Sequence, residues 1–295
     1  MVLKYVVETP NVSLKTFLKQ HYFSNRLLVK LKNKKAVLCN GKNVSMDYTL
    51  SCNNIVTVDL DYDEESDNIV PTKMNLNIVA EDNAYIVLNK PAGIAIHPSC
   101  RHYKTSLSNG VKYYFQTIGL NKKIRPINRL DKDTSGLVIF AKNEYVQECL
   151  TQQMKNHSFQ KWYIALLDGF LKEKQGTISA PIARKPNSII ERCISPDGDK
   201  AITHYKVLKE FENYSLVEFL LGTGRTHQIR VHSQYIDHPI VGDTLYGKIS
   251  ELIQRQALHA YKIQFVHPIS NKLHFYELDF PDDIKNIITS KSRDF

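Results

Sequence analysis

The chain has 295 residues, which is room for one large domain and one small one. Its formal charge of +9 at neutral pH, with lysine and arginine spread along the chain, favours a polyanionic partner. The five cysteines form no close pair, which argues against a disulfide framework or a zinc site, and no segment has the apolar length of a signal peptide or a membrane span. We therefore expect a cytoplasmic protein in a reducing compartment, with no membrane partner.

Charge divides the chain into three parts. Residues 1–58 hold nine lysines or arginines against Glu8 and Asp47, a net charge of +7. Residues 59–67 hold six acidic residues and no basic one, a composition typical of a solvated, flexible linker. The charge pattern predicts a small basic domain over residues 1–67, including this acidic linker, and a larger domain over residues 68–295.

Two short helices and a hairpin are predicted in the basic segment. Ser13 and Ser24 can each cap a helix whose apolar residues repeat at helical spacing. On the second helix Arg26, Lys30 and Lys34 are four residues apart and therefore share one face. An Asn-Gly pair farther along predicts a tight turn between two strands. The shared basic face is either an ordinary solvated surface or a contact for a polyanion, and the charge of the whole segment favours the contact.

The larger region opens with short apolar runs at residues 78–80 and 85–89 and then the string K-P-A-G-I-A-I-H-P over residues 90–98. Proline and glycine in that string predict a turn between strands. A helix is predicted over residues 144–154, where apolar side chains fall on one helical face, and a strand is predicted over residues 161–169. Tyrosine in such a strand is usually a packing residue.

An acidic loop precedes the most apolar run of this region. Residues 127–141 read I-N-R-L-D-K-D-T-S-G-L-V-I-F-A, and the five apolar residues predict a buried strand. Asp131 is then expected on a loop at the mouth of a sheet, where loops carry chemistry on a rigid support. From these residues alone, the favoured interpretation is a charged surface loop in which Arg129, Lys132 and the aspartates solvate one another.

Two glycine-containing strings follow late in the chain. Residues 221–232 read L-G-T-G-R-T-H-Q-I-R-V-H and residues 238–247 read H-P-I-V-G-D-T-L-Y-G. A nucleotide-binding loop is disfavoured because no Gly-Lys-Ser/Thr follows the glycines. His227 and His232 are five residues apart and do not share a helical face, so they indicate no metal site.

Strings spread from Lys90 to about Ala260 resemble, in the same order, motifs of the RluA-type family of RNA pseudouridine synthases. The string R-L-D-K-D-T-S-G-L over residues 129–137 resembles the signature around the catalytic aspartate of that family. The other similar strings are residues 90–98, the pattern K-x-Y-x-A from residue 161, the pair of strings over residues 221–247, and L-H-A over residues 258–260. One departure is Asn128, where the family usually has histidine. Asparagine keeps a hydrogen-bonding group but cannot titrate near neutral pH.

The resemblance implies a role for five residues. It implies that Asp131 is the catalytic aspartate, that Arg230 pairs with it, and that Tyr163 packs on the target base. It further implies that Leu258 lines the uracil pocket and that Arg129 fills the gap left by a flipped nucleotide. The first segment resembles the alpha-L RNA-binding module that often precedes the catalytic domain, which implies that Arg26, Lys30 and Lys34 bind RNA.

The resemblance also implies the fold and the reaction. We expect an α+β pseudouridine synthase fold on a mixed, largely antiparallel sheet, preceded by the small RNA-binding domain. Isomerising uridine to pseudouridine needs no redox change or phosphate transfer, so no cofactor or metal is expected. Asp131 would act as a nucleophile at the anomeric carbon or as a base at the neighbouring ribose position, and the sequence leaves both open.

Two other classes of protein remain open at this stage. A glycosidase could use Asp131 and Asp133 as a pair of carboxylates, although such enzymes need a set separation between them. A non-catalytic RNA-binding or ribosome-assembly factor would explain the charge but gives the aspartate loop and Arg230 no task. We favour a monomeric synthase acting on large-subunit ribosomal RNA, with transfer RNA as the alternative substrate.

Overall fold

The computed structural model describes residues 1–64, 68–99 and 102–290. Its first 60 residues contain the elements β1 (Val2–Val6), β2 (Val12–Ser13), α1 (Leu14–Gln20), α2 (Asn25–Asn33), β3 (Val37–Cys39), β4 (Lys42–Asn43), β5 (Thr49–Leu50) and β6 (Ile55–Asp59). An antiparallel sheet has the order β1-β6-β3-β4, and β2 pairs with β5. We refer to residues 1–60 as the N-terminal module.

The helix starts and the hairpin predicted in this module are confirmed. The Ser13 hydroxyl accepts from the backbone N–H of Thr16 at 3.2 Å, and the Ser24 hydroxyl accepts from that of Leu27 at 3.3 Å. These bonds satisfy N–H groups that a helix start leaves unpaired. The Asn-Gly pair joins β3 to β4 with positive φ at both residues, as a two-residue hairpin turn of this twist requires.

The larger region contains one ten-stranded sheet. Its elements are β7 (Ile78–Glu81), β8 (Tyr85–Lys90), α3 (Leu107–Thr117), β9 (Arg125–Pro126), β10 (Ser135–Ala141), α4 (Glu144–Lys155), β11 (Gln160–Asp168), β12 (Gln175–Ser179), β13 (Ile182–Arg184), β14 (Arg192–Ile194), β15 (Ile202–Glu210), β16 (Tyr214–Leu221), α5 (Gln228–Tyr235), β17 (Leu258–Val266), β18 (Leu273–Glu277) and α6 (Asp282–Ser290). The strand order of the ten-stranded sheet is β12-β15-β16-β11-β17-β10-β8-β7, with β18 beside β17 and β9 beside β10. Strands β13 and β14 form a separate two-stranded sheet. Among the described strands only β10 and β17 are parallel neighbours, so the predicted α+β class with a mixed, largely antiparallel sheet is confirmed.

Strand β10 brings the aspartate loop to the start of β17. Its parallel pairing with β17 is short and consists of Ser135 opposite His259 and Gly136 opposite Ala260. Gly136 has a φ of +117°, and a Cβ atom there would lie 2.2 Å from the Ala260 carbonyl oxygen. Only glycine can accept both the backbone conformation and this approach. The loop before β10 and the residue that begins β17, Leu258, are therefore held close together.

The two faces of the sheet are covered by different elements. Alternate residues of β8 and β10 point to opposite faces, as in any strand. Helices α3 and α6 cover one face, and α4 and the N-terminal module cover the other. The first core includes Leu88, Val111, Phe115, Val138, Phe140, Ile284 and Ile287, and the second includes Phe23, Tyr85, Val87, Leu137, Ile139, Tyr145 and Leu150.

The N-terminal module packs directly on α4. The rings of Phe23 and Tyr145 have centroids 4.6 Å apart, and the hydroxyls of Tyr5 and Tyr145 are hydrogen-bonded at 3.1 Å. Lys30 forms an ion pair with Glu144 at the start of α4. Aromatic contact and a shared apolar core thus join the module to the large sheet.

The prediction of a solvated linker after the module is wrong at Leu60 and Glu64, which are buried, whereas Asp61 and Asp63 are exposed. Glu64 is only 6 % exposed, and its carboxylate accepts two hydrogen bonds from the Arg125 guanidinium at 2.6 and 2.7 Å. The Lys122 ammonium donates to the carbonyl oxygens of Leu60 and Tyr62. Composition could not reveal these partners, which are about 60 residues away in the chain. Residues 65–67 of the predicted linker lie outside the described residues.

Glu64 makes the docking of this segment dependent on pH. Burial alone would raise the pKa of Glu64, but the hydrogen bonds and charge of Arg125 outweigh it and lower the pKa to about 2. Because this is below the ordinary glutamate value, the ion pair stabilises the folded state fully above about pH 5. That stabilisation is lost as the pH falls from there towards 2.

We predict that Glu64→Gln lowers the free energy of unfolding by roughly 2–4 kcal/mol at pH 7, because the buried Arg125 loses its two short bonds to a carboxylate and is left with a longer ion pair to Glu144. The difference between wild type and variant should shrink as the pH is lowered from 5 to 3. Urea unfolding at several pH values measures it. Glu210→Gln, which breaks an exposed pair with Lys174, is the control and should cost less than about 1 kcal/mol. A cost for Glu64→Gln no larger than that of the control would contradict the buried pair.

Candidate active site

Asp131 lies on the loop between β9 and β10, and the backbone of this loop is held from below by a buried lysine. The Lys90 ammonium is fully buried and donates to the carbonyl oxygens of Pro91, Ile94 and Lys132, each at 2.8 Å. Three acceptors match the three hydrogens of an ammonium group. Burial lowers the pKa of Lys90 to about 7, although the charges of Asp133 and Asp131 oppose the shift.

Further contacts fix the loop from the side of β17. The Arg255 guanidinium donates to the carbonyl oxygen of Asp133 at 3.2 Å and forms two hydrogen bonds with Asp283 at the start of α6. The side-chain amide of Gln256 donates to the Thr134 hydroxyl at 3.2 Å. The loop is therefore fixed on both sides of Asp131, as a precise site requires.

Asn128 joins the loop to β10 through its side chain. Its amide nitrogen donates to the Leu137 carbonyl at 2.9 Å, and its amide oxygen accepts from the Ile139 N–H at 3.0 Å. The residue is buried, so both halves of the amide are satisfied by the strand backbone. The departure from the histidine of the family motif thus falls at a position where the side chain forms part of the strand pairing.

Arg230 on α5 connects Asp131 to a second, completely buried carboxylate. Its Nη1 donates to Asp131 Oδ2 at 3.0 Å, and its Nε and Nη2 donate to the two oxygens of Asp243 at 2.7 and 2.8 Å. Asp243 is 0 % exposed. The ring of Tyr246 lies 5.0 Å from the guanidinium carbon. The guanidinium is thereby fixed in one orientation by a bidentate partner and an aromatic face.

The charges around Arg230 keep it protonated. Burial disfavours the charged guanidinium, but the hydrogen bonds and charge of Asp243, together with the charge of Asp131, raise the pKa of Arg230 above its ordinary value. One carboxylate oxygen of Asp131 is occupied by Arg230. Among the described residues none donates a hydrogen bond to the other oxygen, which is free to meet a substrate.

His227 stands close to the same carboxylate. It precedes α5 with a φ of 58°, its Nδ1 is 2.8 Å from the Tyr246 hydroxyl, and its Nε2 is 3.8 Å from Asp131 Oδ2. The Tyr246 hydroxyl in turn accepts from the Arg192 N–H. Burial lowers the pKa of His227, partly offset by the charge of Asp131. A neutral imidazole therefore faces Asp131 across a gap too long for a direct hydrogen bond.

A cavity of about 420 Å³ opens beside Asp131. Tyr163 on β11 and Leu258 on β17 line it, and both are nearly buried. Burial, with the charge of Asp131 adding to it, raises the pKa of Tyr163, so its phenol stays neutral. Two apolar walls and one carboxylate suit a flat, uncharged ring held against a reacting centre.

The structure brings together five of the residues predicted for the site. The cavity is lined by Arg129, Asp131, Tyr163, Arg230 and Leu258. Arg129 is exposed at the mouth of the cavity and forms no ion pair with another described residue. This disfavours the interpretation of the loop as a surface loop whose charged side chains solvate one another. Asp133 does not line the cavity, so the glycosidase arrangement of two facing carboxylates is not present.

The three basic residues predicted on α2 lie outside this cavity. Arg26 is exposed, and Lys34, the C-terminal cap of α2, places its ammonium 5.1 Å from the centre of the Tyr62 ring. Lys30 is engaged in ion pairs with Glu64 and Glu144. Their role in RNA binding stays a prediction.

Several residues of the site were not predicted from the sequence. These are the buried partner of Arg230, the histidine beside Asp131, the lysine below the loop and a lysine in the wall of the cavity, namely Asp243, His227, Lys90 and Lys161. Each is within one of the strings compared with the family motifs, and that was the available signal. In the described ranges no three His, Cys, Asp or Glu side chains converge on a common point, and none of the helices described there has the length and apolarity to cross a membrane.

Comparison with known proteins identifies the class. The family model described as RNA pseudouridylate synthase matches residues 84–235. A Bacillus subtilis (strain 168) protein, Uncharacterized RNA pseudouridine synthase YhcT, is 44% identical over 234 residues, which are 79% of this chain and 77% of that protein. Ribosomal large subunit pseudouridine synthase D of Zymomonas mobilis subsp. mobilis is 37% identical over 244 residues, 78% of this chain and 76% of that protein.

Solved structures show the same fold. Human RNA Pseudouridylate Synthase Domain Containing 4 matches with a TM-score of 0.60 at 20% identity, over 73% of this chain and 93% of that one. Human RNA Pseudouridylate Synthase Domain Containing 1 matches with a TM-score of 0.56 at 24% identity, over 78% and 97%. The site is thus built on a pseudouridine synthase fold. The chain belongs to the RNA pseudouridylate synthase family, and it is an isomerase that acts on RNA.

We predict that Asp243→Asn lowers turnover about 100-fold, because the guanidinium that holds Asp131 loses its fixed orientation. It should also lower the free energy of unfolding by roughly 3–5 kcal/mol, since a buried pair is broken. Single-turnover rates and urea unfolding measure the two effects. Asp283→Asn is the matched control because Asp283 also binds an arginine through two hydrogen bonds but is far more exposed. Equal effects in the two variants would contradict a special role for Asp243.

Proposed function

We propose that this enzyme converts uridines of large-subunit ribosomal RNA to pseudouridine, with Asp131 as its catalytic residue. The observation that carries the assignment of Asp131 is its position. The carboxylate lies at the edge of the cavity, one oxygen is bound by Arg230, and the other receives no hydrogen bond from a described residue. The ribosomal substrate is supported by the name of the relative from Zymomonas mobilis subsp. mobilis.

The reaction breaks the bond from ribose C1′ to uracil N1 and forms a bond from C1′ to C5. The proton on C5 is lost and N1 gains one, so no oxidant or other reactant is consumed. Asp131 starts the reaction with its free oxygen, as a nucleophile at C1′ or as a base at C2′. Arg230 places its positive charge beside that carboxylate and donates a hydrogen bond to one of its oxygens. Tyr163 and Leu258 hold the detached base and exclude water from it.

The basic surface beside the cavity supports binding to an RNA strand. An adjoining groove of about 430 Å³ is lined by four arginines, Arg129, Arg184, Arg192 and Arg225. Arg225 also forms an exposed ion pair with Asp199, so the groove contains acidic as well as basic groups. Guanidinium groups bind phosphates through paired hydrogen bonds and stack on bases.

We further propose a division into an RNA-binding domain over residues 1–67 and a catalytic domain over residues 68–295. In the first domain, Arg26 and Lys34 would contact RNA from α2, while Lys30 is engaged with glutamates and anchors the module. The thiols of the described cysteines are free, which supports a reducing, cytoplasmic location, and we propose that the enzyme acts as a monomer.

The function is tested with the purified enzyme and two RNAs. A large-subunit ribosomal RNA transcript and a transfer RNA mixture, both made with uridine tritiated at C5, release tritium when pseudouridine forms. We expect release from the ribosomal transcript, at positions that pseudouridine mapping then identifies. Release from transfer RNA alone would show that transfer RNA is the substrate instead of ribosomal RNA. Release from neither RNA would contradict the proposal.

We predict that Asp131→Asn abolishes this release while RNA affinity changes by no more than about threefold. The amide is nearly isosteric with the carboxylate but can act neither as nucleophile nor as base. Filter binding measures the affinity. The control is Asp133→Asn, two residues away and outside the cavity, which should retain turnover. If Asp131→Asn still releases tritium, Asp131 is not the catalytic residue.

We predict that Arg129→Ala slows the reaction on structured RNA more than on unstructured RNA. Swinging a nucleotide out of a stem costs a few kcal/mol, and a guanidinium at the mouth of the cavity can stack where the base was. Single-turnover rates are compared for one uridine in a stem-loop and in an unpaired oligomer. Arg184→Ala, in the same groove but not at the cavity, is the control. Equal fold losses of Arg129→Ala on the two RNAs would disprove the flipping role.

A further inference from the structure

Lys161 is a cation in the wall of the active-site cavity, and no described residue pairs with its side chain. It precedes Tyr163 by two residues on β11, so both side chains point to the same face of the strand. It lines the cavity and is half-buried. Within the described chain its ammonium forms no ion pair or hydrogen bond with another residue, whereas Arg230 in the same cavity has two carboxylate partners.

The loop next to Lys161 approaches its ammonium at a glycine. This loop, residues 222–227, joins β16 to α5 and contains Gly224. A Cβ atom on Gly224 would lie 3.3 Å from the Lys161 nitrogen, and no other atom of the described chain would lie within 4 Å of it. The side chain of Gln228 holds the loop by accepting from the N–H of Arg225 and the hydroxyl of Thr223. The backbone N–H of Gly224 donates to no other described residue.

A half-buried ammonium without a counter-ion is unfavourable in the free protein. Burial lowers the pKa of Lys161, and no carboxylate in the described part of the chain opposes the shift. An anion that entered with the substrate would restore the balance. Uracil and ribose are uncharged, so the phosphodiester groups are the anions that an RNA brings to this cavity.

We propose that Lys161 and the Gly224 loop bind the phosphodiester group attached to the target uridine. The proposal rests on the proposed function and adds a binding site to it. With the base between Tyr163 and Leu258 and the ribose at Asp131, the phosphates of the same nucleotide leave by the mouth of the cavity. Lys161 is then a substrate-binding residue that holds the flipped nucleotide by its backbone and reads no sequence.

The test removes the charge from one partner at a time. A synthetic RNA hairpin carries the uridine identified by mapping, with a neutral methylphosphonate replacing the phosphate before it, the phosphate after it or one three nucleotides away. Dissociation constants and single-turnover rates are measured for wild type, Lys161→Ala and Lys161→Gln. Lys206→Ala is the control because Lys206 is exposed on β15 and does not line the cavity.

We expect wild-type affinity to fall about ten- to hundredfold when one of the two adjacent phosphates is neutral, the loss typical of a charged hydrogen bond. Lys161→Ala and Lys161→Gln should show the same loss on unmodified RNA and no further loss with that methylphosphonate. The distant methylphosphonate and Lys206→Ala should have little effect. The proposal is overturned if the Lys161 substitution and the methylphosphonate reduce affinity independently at both adjacent phosphates, so that their fold losses multiply. Lys161 would then contact the base or the sugar.

Two controls separate other causes of failure. Thermal unfolding of both Lys161 variants verifies that they are folded, and Lys161→Gln keeps the length and polarity of the side chain. If the wild type forms no pseudouridine in any RNA, the proposed function fails. If it forms pseudouridine but the losses are multiplicative, only the assignment of Lys161 fails.

Discussion

The buried guanidinium of Arg230, shared between Asp243 and Asp131, is the interaction on which the site depends. It joins helix α5 to the turn that follows it, 13 residues along the chain, and to the loop before β10, which is 99 residues away in sequence. A buried arginine needs a full counter-charge, which Asp243 supplies. Because Asp243 satisfies most of that need, Asp131 can keep one oxygen unbound and still remain close to a cation. The carboxylate that we propose to react is thus held in position by Arg230 while one of its oxygens receives no hydrogen bond from a described residue.

Much of the fold was predictable, since local signals decide it. The serine caps, the Asn-Gly hairpin and the apolar run of β10 act over a few residues and formed as expected. Asp131 and Arg230 were predicted through family resemblance, because nothing in the sequence alone shows that residues 99 positions apart touch. The same reason explains why Asp243 and Lys90 were missed. Their tasks are defined by carbonyl and guanidinium groups that only the folded chain brings near.

The acidic segment after the N-terminal module was predicted to be solvated, but part of it is buried. Six acidic residues within a stretch of nine indicate solvation when they are considered alone, but Glu64 forms a buried ion pair with Arg125. Together with the contact between Phe23 and Tyr145, this ion pair attaches the module to the body that carries the cavity. An RNA held by both parts would meet surfaces whose relative position is set before it arrives. Binding then costs less ordering entropy than it would with a loosely tethered module.

Asn128 has a consequence for how such sequences are compared. The residue occupies a position where the family motif usually has histidine. Its side-chain amide pairs with the backbone of β10 as a neighbouring strand would, with one donated and one accepted hydrogen bond. In this chain the position supplies one donor and one acceptor at the spacing of the β10 backbone, and a neutral imidazole also carries one of each. The hydrogen bonds that Asn128 makes therefore need complementary polar groups and do not need an ionisable side chain.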